Sequence, residues 1–345
     1  MFPFFSLVMP AYNCEDTLGL TIDSILAQSF TDFELIIIND GSTDSTEEVI
    51  RNYQKLDKRI RYQTIPNGGP GNARNVGIKD TKGEFLFLVD ADDQLDKNNL
   101  EIRAELLKNS QTDLLIGSYQ TNILDNNEIV DQKLTIAPDL FFSTKNEFLE
   151  HVYPLMEQQL MYVIWNKVYR LDLIKKNKIV FPPYKSCEDR LFNLEYFKYV
   201  KKCLVTSKVL YHYSFDGKNS LTNKYFPNKF DTFEEFYVVA SELVPKDKPG
   251  FSALFLKGTM SCFIPLHSPS CPLSFSKKRK YIKEVLNNKQ IQSAAKLSVT
   301  SSLFKKIMKS LFLIKITNLH YFVSWFLYKI STLNPKTIEK LKGNF

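Results

Sequence analysis

Four short apolar runs, at residues 4–9, 33–38, 60–65 and 84–89, recur at near-regular intervals through the first ninety residues, and the stretches between them carry helical spacing. Runs of this length suit strands buried on both faces. A helix-length connection between successive strands makes them parallel, since an antiparallel pair needs only a tight turn. The pattern therefore reads as an α/β fold with a doubly wound, mostly parallel, Rossmann-like sheet. Glu15 or Asp16 can cap a first helix through Ile22, Ile25 and Leu26, and Val49 and Ile50 mark a second. Residues 114–118 continue the strand pattern after a helix through Leu100 and Leu107. Residues 121–144 are polar and poorly periodic, and read as a loop or hairpin insertion.

Each run ends in polar residues, and in an open α/β sheet the carboxyl edge is where ligands bind. The fourth run ends in Asp90, Ala91, Asp92 and Asp93. Carboxylates this close repel one another, and a hard divalent cation, Mn2+ or Mg2+, relieves the repulsion using one or two of them plus diphosphate oxygens. Just upstream, Gly68, Gly69 and Gly71 let the backbone turn tightly, and Arg74 offers a fixed positive charge for the same anion. The alternative for such acidic residues is a turn or a helix cap, which also serves for Asp40 in Asn39-Asp40-Gly41-Ser42; for Tyr12 it is ordinary packing.

The run SLVMPAYNCEDTLGLTIDSILAQSFTDFELIIINDGSTDSTEEVI, followed by GNARNVGIKDTKGEFLFLVDADD, resembles the family 2 glycosyltransferases of bacteria, which have the GT-A fold. The likeness is continuous over about the first hundred residues, with several motifs in order. It implies an inverting, metal-dependent transferase that uses a nucleotide-sugar, usually a UDP-sugar. Carried onto this chain, the resemblance makes Pro10, Ala11, Tyr12 and Glu15 walls of the nucleoside site and Asp40 the acceptor for the uracil imide. It sets Asn67 and Arg74 against the base or diphosphate. Asp90 and Ala91 then lie near the ribose, and Asp92, with Asp90, holds the metal.

Further along, Glu188 and Asp189 can lie at the amino end of a helix through Phe192, Leu194 and Phe197, where its dipole favours carboxylates; a capped surface helix is the plainer reading. The resemblance makes Asp189 the catalytic base with Glu188 beside it, and places Trp165, Asn166 and Lys167 near the sugar or acceptor, Trp165 as a platform. It also offers His212, in the strand-like VLYHYS, as a third metal ligand, against which stands a packed histidine. The family often has an arginine soon after this strand; here Tyr213 is followed by Ser214-Phe215-Asp216-Gly217-Lys218, with Lys218 as the nearby cation and Ser220-Leu221-Thr222 as a polar ending.

The strand-like VLYHYS reads as the end of a catalytic domain at about 1–215, followed by a helical, basic region at 216–345. From residue 277 onward there are 15 Lys and Arg against 2 Glu, a net +13, whereas residues 1–276 carry −6. An anionic partner is implied for that end. Residues 303–313 and 316–328 read as amphipathic helices with Lys305, Lys306, Lys309 and several aromatics. The longest charge-free run there is 13 residues, short of the ~20 that span a bilayer. The helices suit an anionic membrane surface, or a helical cap packed on the catalytic domain. Nucleic acid is not expected, because no binding motif accompanies the charge. The five cysteines are scattered without a C-x-x-C pair, which suggests neither disulfides nor zinc. With no basic leader before Pro3 and Pro10, a cytoplasmic protein peripheral to the inner face of the cell membrane is expected. Its acceptor would be a saccharide or polyprenyl-linked saccharide in capsule, exopolysaccharide or wall-polymer synthesis. A nucleotidyltransferase, or a non-catalytic membrane scaffold on a relic fold, stays open as an alternative.

Overall fold

The structure, a computed structural model, describes residues 2–125, 128–216 and 225–333. The chain divides into two compact units, Met1–Phe215 and Asp216–Phe345. Unit 1 opens with β1 (Phe5–Ala11), α1 (Glu15–Leu26), β2 (Phe33–Asn39), α2 (Thr46–Leu56), β3 (Ile60–Thr64), α3 (Pro70–Asp80), β4 (Phe85–Leu88) and α4 (Asn99–Ser110). All of β1, β2 and β4 are buried apart from the partly covered Pro10, as strands covered on both faces must be. The helix cap before α1 is Cys14, and Glu15 and Asp16 fall in the first turn instead.

These four strands are parallel, in the order β3-β2-β1-β4. Central β1 pairs Phe5 with Phe33 on one side and with Phe85 on the other, so β1, β2 and β4 start level. Helix α3 lies close on β1 and β2 because Gly77 has no side chain. A Cβ there would sit 2.5 Å from Val8 Cγ1 and 3.3 Å from Ile38 Cγ1.

Past β4 the sheet changes direction. It continues with β5 (Leu114–Asp125), β6 (Glu128–Thr135), β7 (Leu140–Phe142), α5 (Lys145–Glu157), β8 (Lys167–Arg170), α6 (Leu171–Asn177), α7 (Glu188–Phe197) and β9 (Cys203–Asp216). Strand β8 inserts between β4 and β5, antiparallel to both, with Tyr169 opposite Leu86 on one side and Leu114 on the other. Among the described residues the result is a mixed nine-stranded sheet whose parallel half is the one the sequence marks. Strands β5 and β6 pair antiparallel as the arms of a hairpin, the second of the two forms open for that insertion.

Unit 2 is helical: α8 (Lys229–Leu243), α9 (Lys248–Phe263), α10 (Phe275–Leu286), α11 (Lys289–Leu297), α12 (Leu303–Ile314) and α13 (Thr317–Leu333). Its core is aromatic, with Tyr237 stacked 4.7 Å from Phe255. None of the described helices is long and apolar enough to cross a membrane. All five cysteines are free thiols. Lys218 and Ser220-Leu221-Thr222 lie outside the described residues.

If the close approach at Gly77 sets the seat of α3, Gly77→Ala should destabilise the protein by about 1–3 kcal/mol in urea unfolding, the usual cost of overpacking. Val8→Ala removes the opposing methyls, so the double variant should recover part of that loss. Strictly additive effects would show that the contact does not hold the helix.

Candidate active site

The amino ends of α3 and α7 and the carboxyl end of β4 converge on Arg74. Gly71 permits the approach of the two helices, since a Cβ there would come within 3.1 Å of Glu188 Cγ and 3.2 Å of Phe181 Cβ. The Arg74 guanidinium donates from Nη2 to Asp90 Oδ1 at 2.8 Å, and from Nη1 to Glu188 Oε1 at 3.2 Å and Asp189 Oδ1 at 3.1 Å. Its side chain is 6% exposed, and Nε has no partner among the described residues. Burial by itself would lower the Arg74 pKa, but the three carboxylates reverse that and hold the group firmly charged.

One cation among three carboxylates leaves an excess of negative charge, and the acids respond. The Asp189 carboxyl is pushed up to about 7, first by burial and then by Glu188 and Asp90, with Arg74 and Lys167 opposing the rise. It still keeps 25% of its side-chain surface open to solvent. Glu188 is more enclosed and is raised chiefly by burial, against Arg74. Asp189 is thus the member of the pair that can reach an incoming group.

The acidic turn after β4 is built from three differently placed aspartates. Asp93 is sealed in the interior, where it accepts from Tyr211 Oη and Ser214 N, both at 2.8 Å. Its carboxyl is raised well above the usual range by burial, then by Asp92 and Asp90. The Asp90 amide in turn donates to Tyr211 Oη. Ala91 is buried, and its carbonyl accepts from the Thr17 and Thr21 hydroxyls, which pins the turn to α1. Asp92 alone points outward. Its carboxylate bonds to no other side chain or amide among the described residues, and crowding by protein, then the Asp90 charge, raises it to about 6.

Along the same edge, Asp40 follows β2, and its amide donates to the carbonyl of Ala11 at 2.8 Å, next to Pro10. Both Asp40 oxygens accept amides, from Gly68 and Gly69 at 2.8 Å each, and Asn67 Nδ2 donates to the Asp40 carbonyl. The glycine loop is therefore folded around Asp40, ahead of the positive end of α3. Tyr12 presents an exposed ring. Glu15 is drawn sideways to accept from the Ser45 amide.

Several expected positions fall elsewhere. Arg74, expected to meet an incoming anion, is committed to the protein's own carboxylates. Trp165 is only 4% exposed, and its ring lies nearly parallel to those of Tyr211 and Tyr213 at 4.6 and 5.0 Å. It fills the core, and so is not an open platform for a sugar. Asn166 and Lys167 are fully buried. Asn166 Nδ2 donates to the Gly117 and Leu160 carbonyls, and Lys167 Nζ to Leu160 and Val163 carbonyls and to Asn166 Oδ1. They satisfy backbone acceptors under the strand, and burial pushes Lys167 down to about 7. His212 also departs from expectation: its Nε2 meets Asp96 Oδ2 at 2.8 Å, beyond the acidic turn. Among the described residues no three His, Cys, Asp or Glu side chains come together that could hold a metal unaided.

Two supports went unread in the sequence. Tyr211 holds both Asp90 and Asp93 in place, and Thr17 with Thr21 holds Ala91. The alternation Tyr211-His212-Tyr213 carries the first signal, because on a strand the tyrosines face one way and the histidine the other.

With this geometry in view, comparison with known proteins places the chain. The model of the glycosyl transferase family 2 matches residues 6–176. The chain is 32% identical over 246 residues to the poly(ribitol-phosphate) beta-N-acetylglucosaminyltransferase TarP of Staphylococcus aureus, a stretch covering 67% of this chain and 70% of TarP. The chain belongs to glycosyl transferase family 2. It is also 31% identical over 223 residues, 64% of each chain, to the uncharacterized glycosyltransferase EpsJ of Bacillus subtilis. The matched stretch spans 64% of EpsJ and 41% of the S. aureus protein TarS, under two thirds of either. A crystal structure of S. aureus TarS 1–349 in complex with UDP-GlcNAc shares the fold at a TM-score of 0.67 and 21% identity, covering 96% of this chain and 92% of that one. The GT-A architecture of this family 2 chain is thereby matched, and its helical unit is included in the likeness.

The charge balance at Arg74 makes two variants move in opposite directions. Arg74→Leu leaves three carboxylates without their cation and should cost about 3–5 kcal/mol, as breaking a buried ion pair does. Asp189 has a folded pKa raised above its unfolded value, so stability is lost as pH climbs from about 4 through about 7. Asp189→Asn removes that ionisation. Thermal unfolding at pH 8 should show Arg74→Leu melting well below wild type and Asp189→Asn at or above it; an Asp189→Asn as unstable as Arg74→Leu would contradict this balance.

Proposed function

We propose that this family 2 chain is an inverting glycosyltransferase that moves a sugar from a UDP-sugar to a hydroxyl of a saccharide or polyprenyl-linked saccharide during assembly of a cell-surface glycopolymer. The observation that carries the reading is Asp189: a carboxyl raised to about 7, oriented by Arg74, and open to solvent beside an acidic turn. A group with that pKa takes a proton efficiently near neutral pH. In the step proposed, Asp189 accepts the proton of the acceptor hydroxyl as that oxygen bonds to the anomeric carbon. The carbon–oxygen bond to the diphosphate breaks on the opposite face, UDP departs with the electron pair, and the anomeric centre is inverted.

The residues present also fit a divalent cation. The Asp92 carboxylate bonds to no other side chain among the described residues, and the neighbouring negative charges exceed the one guanidinium. Asp92, with Asp90 beside it, would hold Mn2+ or Mg2+, and such an ion neutralises charge on the departing diphosphate. The protein's own residues do the rest of the positioning. Tyr12 offers a ring for the base beside Pro10 and Ala11, and Asn67 lies at the same edge. Asp40 retains lone pairs for a uracil imide beyond the two amides it already accepts. UDP-GlcNAc is the donor to try first, given that TarP is a beta-N-acetylglucosaminyltransferase and that TarS was crystallised with UDP-GlcNAc.

UDP release from a panel of UDP-sugars with Mn2+ or Mg2+ tests this. One sugar should be turned over in a metal-dependent manner. Asp189→Asn should lower the rate by about 10²–10⁴, the usual contribution of a positioned base, and Asp92→Ala should abolish the metal response. The wild-type rate should climb with pH through about 7 and level off above it, as Asp189 loses its proton. Full activity in Asp189→Asn would remove the base and favour a nucleotidyl-transfer reaction that has no need of it.

A further inference from the structure

Unit 2 has a surface that sugar transfer does not account for. Phe275, at the amino end of α10, meets Tyr321 of α13 edge-on with ring centroids 5.1 Å apart. Trp325 follows Tyr321 by one helical turn on the same side, and Phe322 lies 5.8 Å from Trp325. Phe275, Phe322 and Trp325 are all exposed, so the aromatic line is open to solvent. Beside it α10 carries Lys277, Lys278, Arg279 and Lys280 in succession, and the Arg279 guanidinium sits 5.6 Å from the centre of the Phe275 ring. The sole acid on this helix, Glu284, is 3.8 Å from Lys280.

We infer that the α10–α13 face docks on an anionic phospholipid bilayer, its aromatic rings entering the headgroup boundary and the α10 cations that flank them, Arg279 beside Phe275 first, reaching the lipid phosphates. Charge selects this occupant. A second copy of the chain would bring a segment of net +13 against its equal, and the cores of protein interfaces are depleted in lysine. An anionic bilayer complements both parts of the face, since amphipathic surfaces with Trp and Phe beside Lys and Arg lie at the membrane interface. This inference does not rest on the transferase reading, and failure to turn over any UDP-sugar would leave it standing.

The full chain supplies its own probe. It has two tryptophans, and Trp165 is 4% exposed in unit 1 whereas Trp325 is 40% exposed on this face. Vesicles of phosphatidylcholine alone, or with a quarter phosphatidylglycerol, are added at low and high salt, with emission and co-flotation both read. The expected result is a blue shift and flotation with the anionic vesicles only, reversed by salt. Trp325→Phe should lose the shift and keep flotation, and joint replacement of Lys277, Lys278, Arg279 and Lys280 by Glu should abolish flotation. No flotation of the wild type overturns the inference, as does flotation indifferent to salt, or binding to a single-stranded oligonucleotide stronger than binding to the anionic vesicles. Should the charge-reversed variant not fold, the salt dependence of the wild type still decides.

Discussion

The meeting of one guanidinium with three carboxylates is the interaction on which this site depends. Arg74 comes from α3, Asp90 from the end of β4, and Glu188 and Asp189 from the start of α7, so residues more than a hundred positions apart are fixed by a single buried side chain. Desolvating charges in this way is costly, and it is tolerated when each charge finds hydrogen-bonding partners. Here the pairing is incomplete by design of charge: the acids outnumber the cation, Arg74 Nε lacks a partner among the described residues, and Asp189 and Asp92 both sit above their ordinary pKa. The proposed cation and the proposed base both draw on this excess of negative charge.

The sheet explains why those groups share one edge. With β1 between β2 and β4 in parallel, the carboxyl ends of all three emerge together, and Ala11, Asp40 and Asp90 lie at that edge. The antiparallel half then returns Tyr211 on β9 to the same place, where its hydroxyl joins the Asp90 amide to the Asp93 carboxylate. Trp165 stacks on this tyrosine from within. Thus the aromatic core and the acidic turn are one structure, with buried contacts behind the exposed carboxylates.

The parallel half of the fold was legible because its strands are apolar throughout and its connections carry helical periodicity. Strand β8 was not: Lys167-Val168-Tyr169-Arg170 has charged ends and no alternation that marks it as central, and Lys167 is tolerated there only because three oxygens receive its ammonium. At the site, Asp90, Asp92, Glu188 and Asp189 were identifiable as acids after a strand and at a helix start. Their convergence on Arg74 was not, since nothing local says that a guanidinium will turn inward towards carboxylates rather than outward to an anion. Trp165 and His212 show the same limit. Each has the right chemistry for a ligand, and each is claimed by a neighbour, Tyr211 and Asp96, that only the tertiary fold brings near.

Because Arg74 is already engaged with the protein's own carboxylates, a bound cation, and not that guanidinium, is proposed to make the cleft receptive to a diphosphate. Calorimetric titration of UDP into the wild-type protein, with and without Mn2+, measures this directly. Binding that appears with the metal and weakens at least about tenfold, or some 1.4 kcal/mol, on chelation is the expected result. Equal affinity in the presence and absence of metal would show that protein cations alone receive the diphosphate, and would contradict the charge balance on which this description of the site is built.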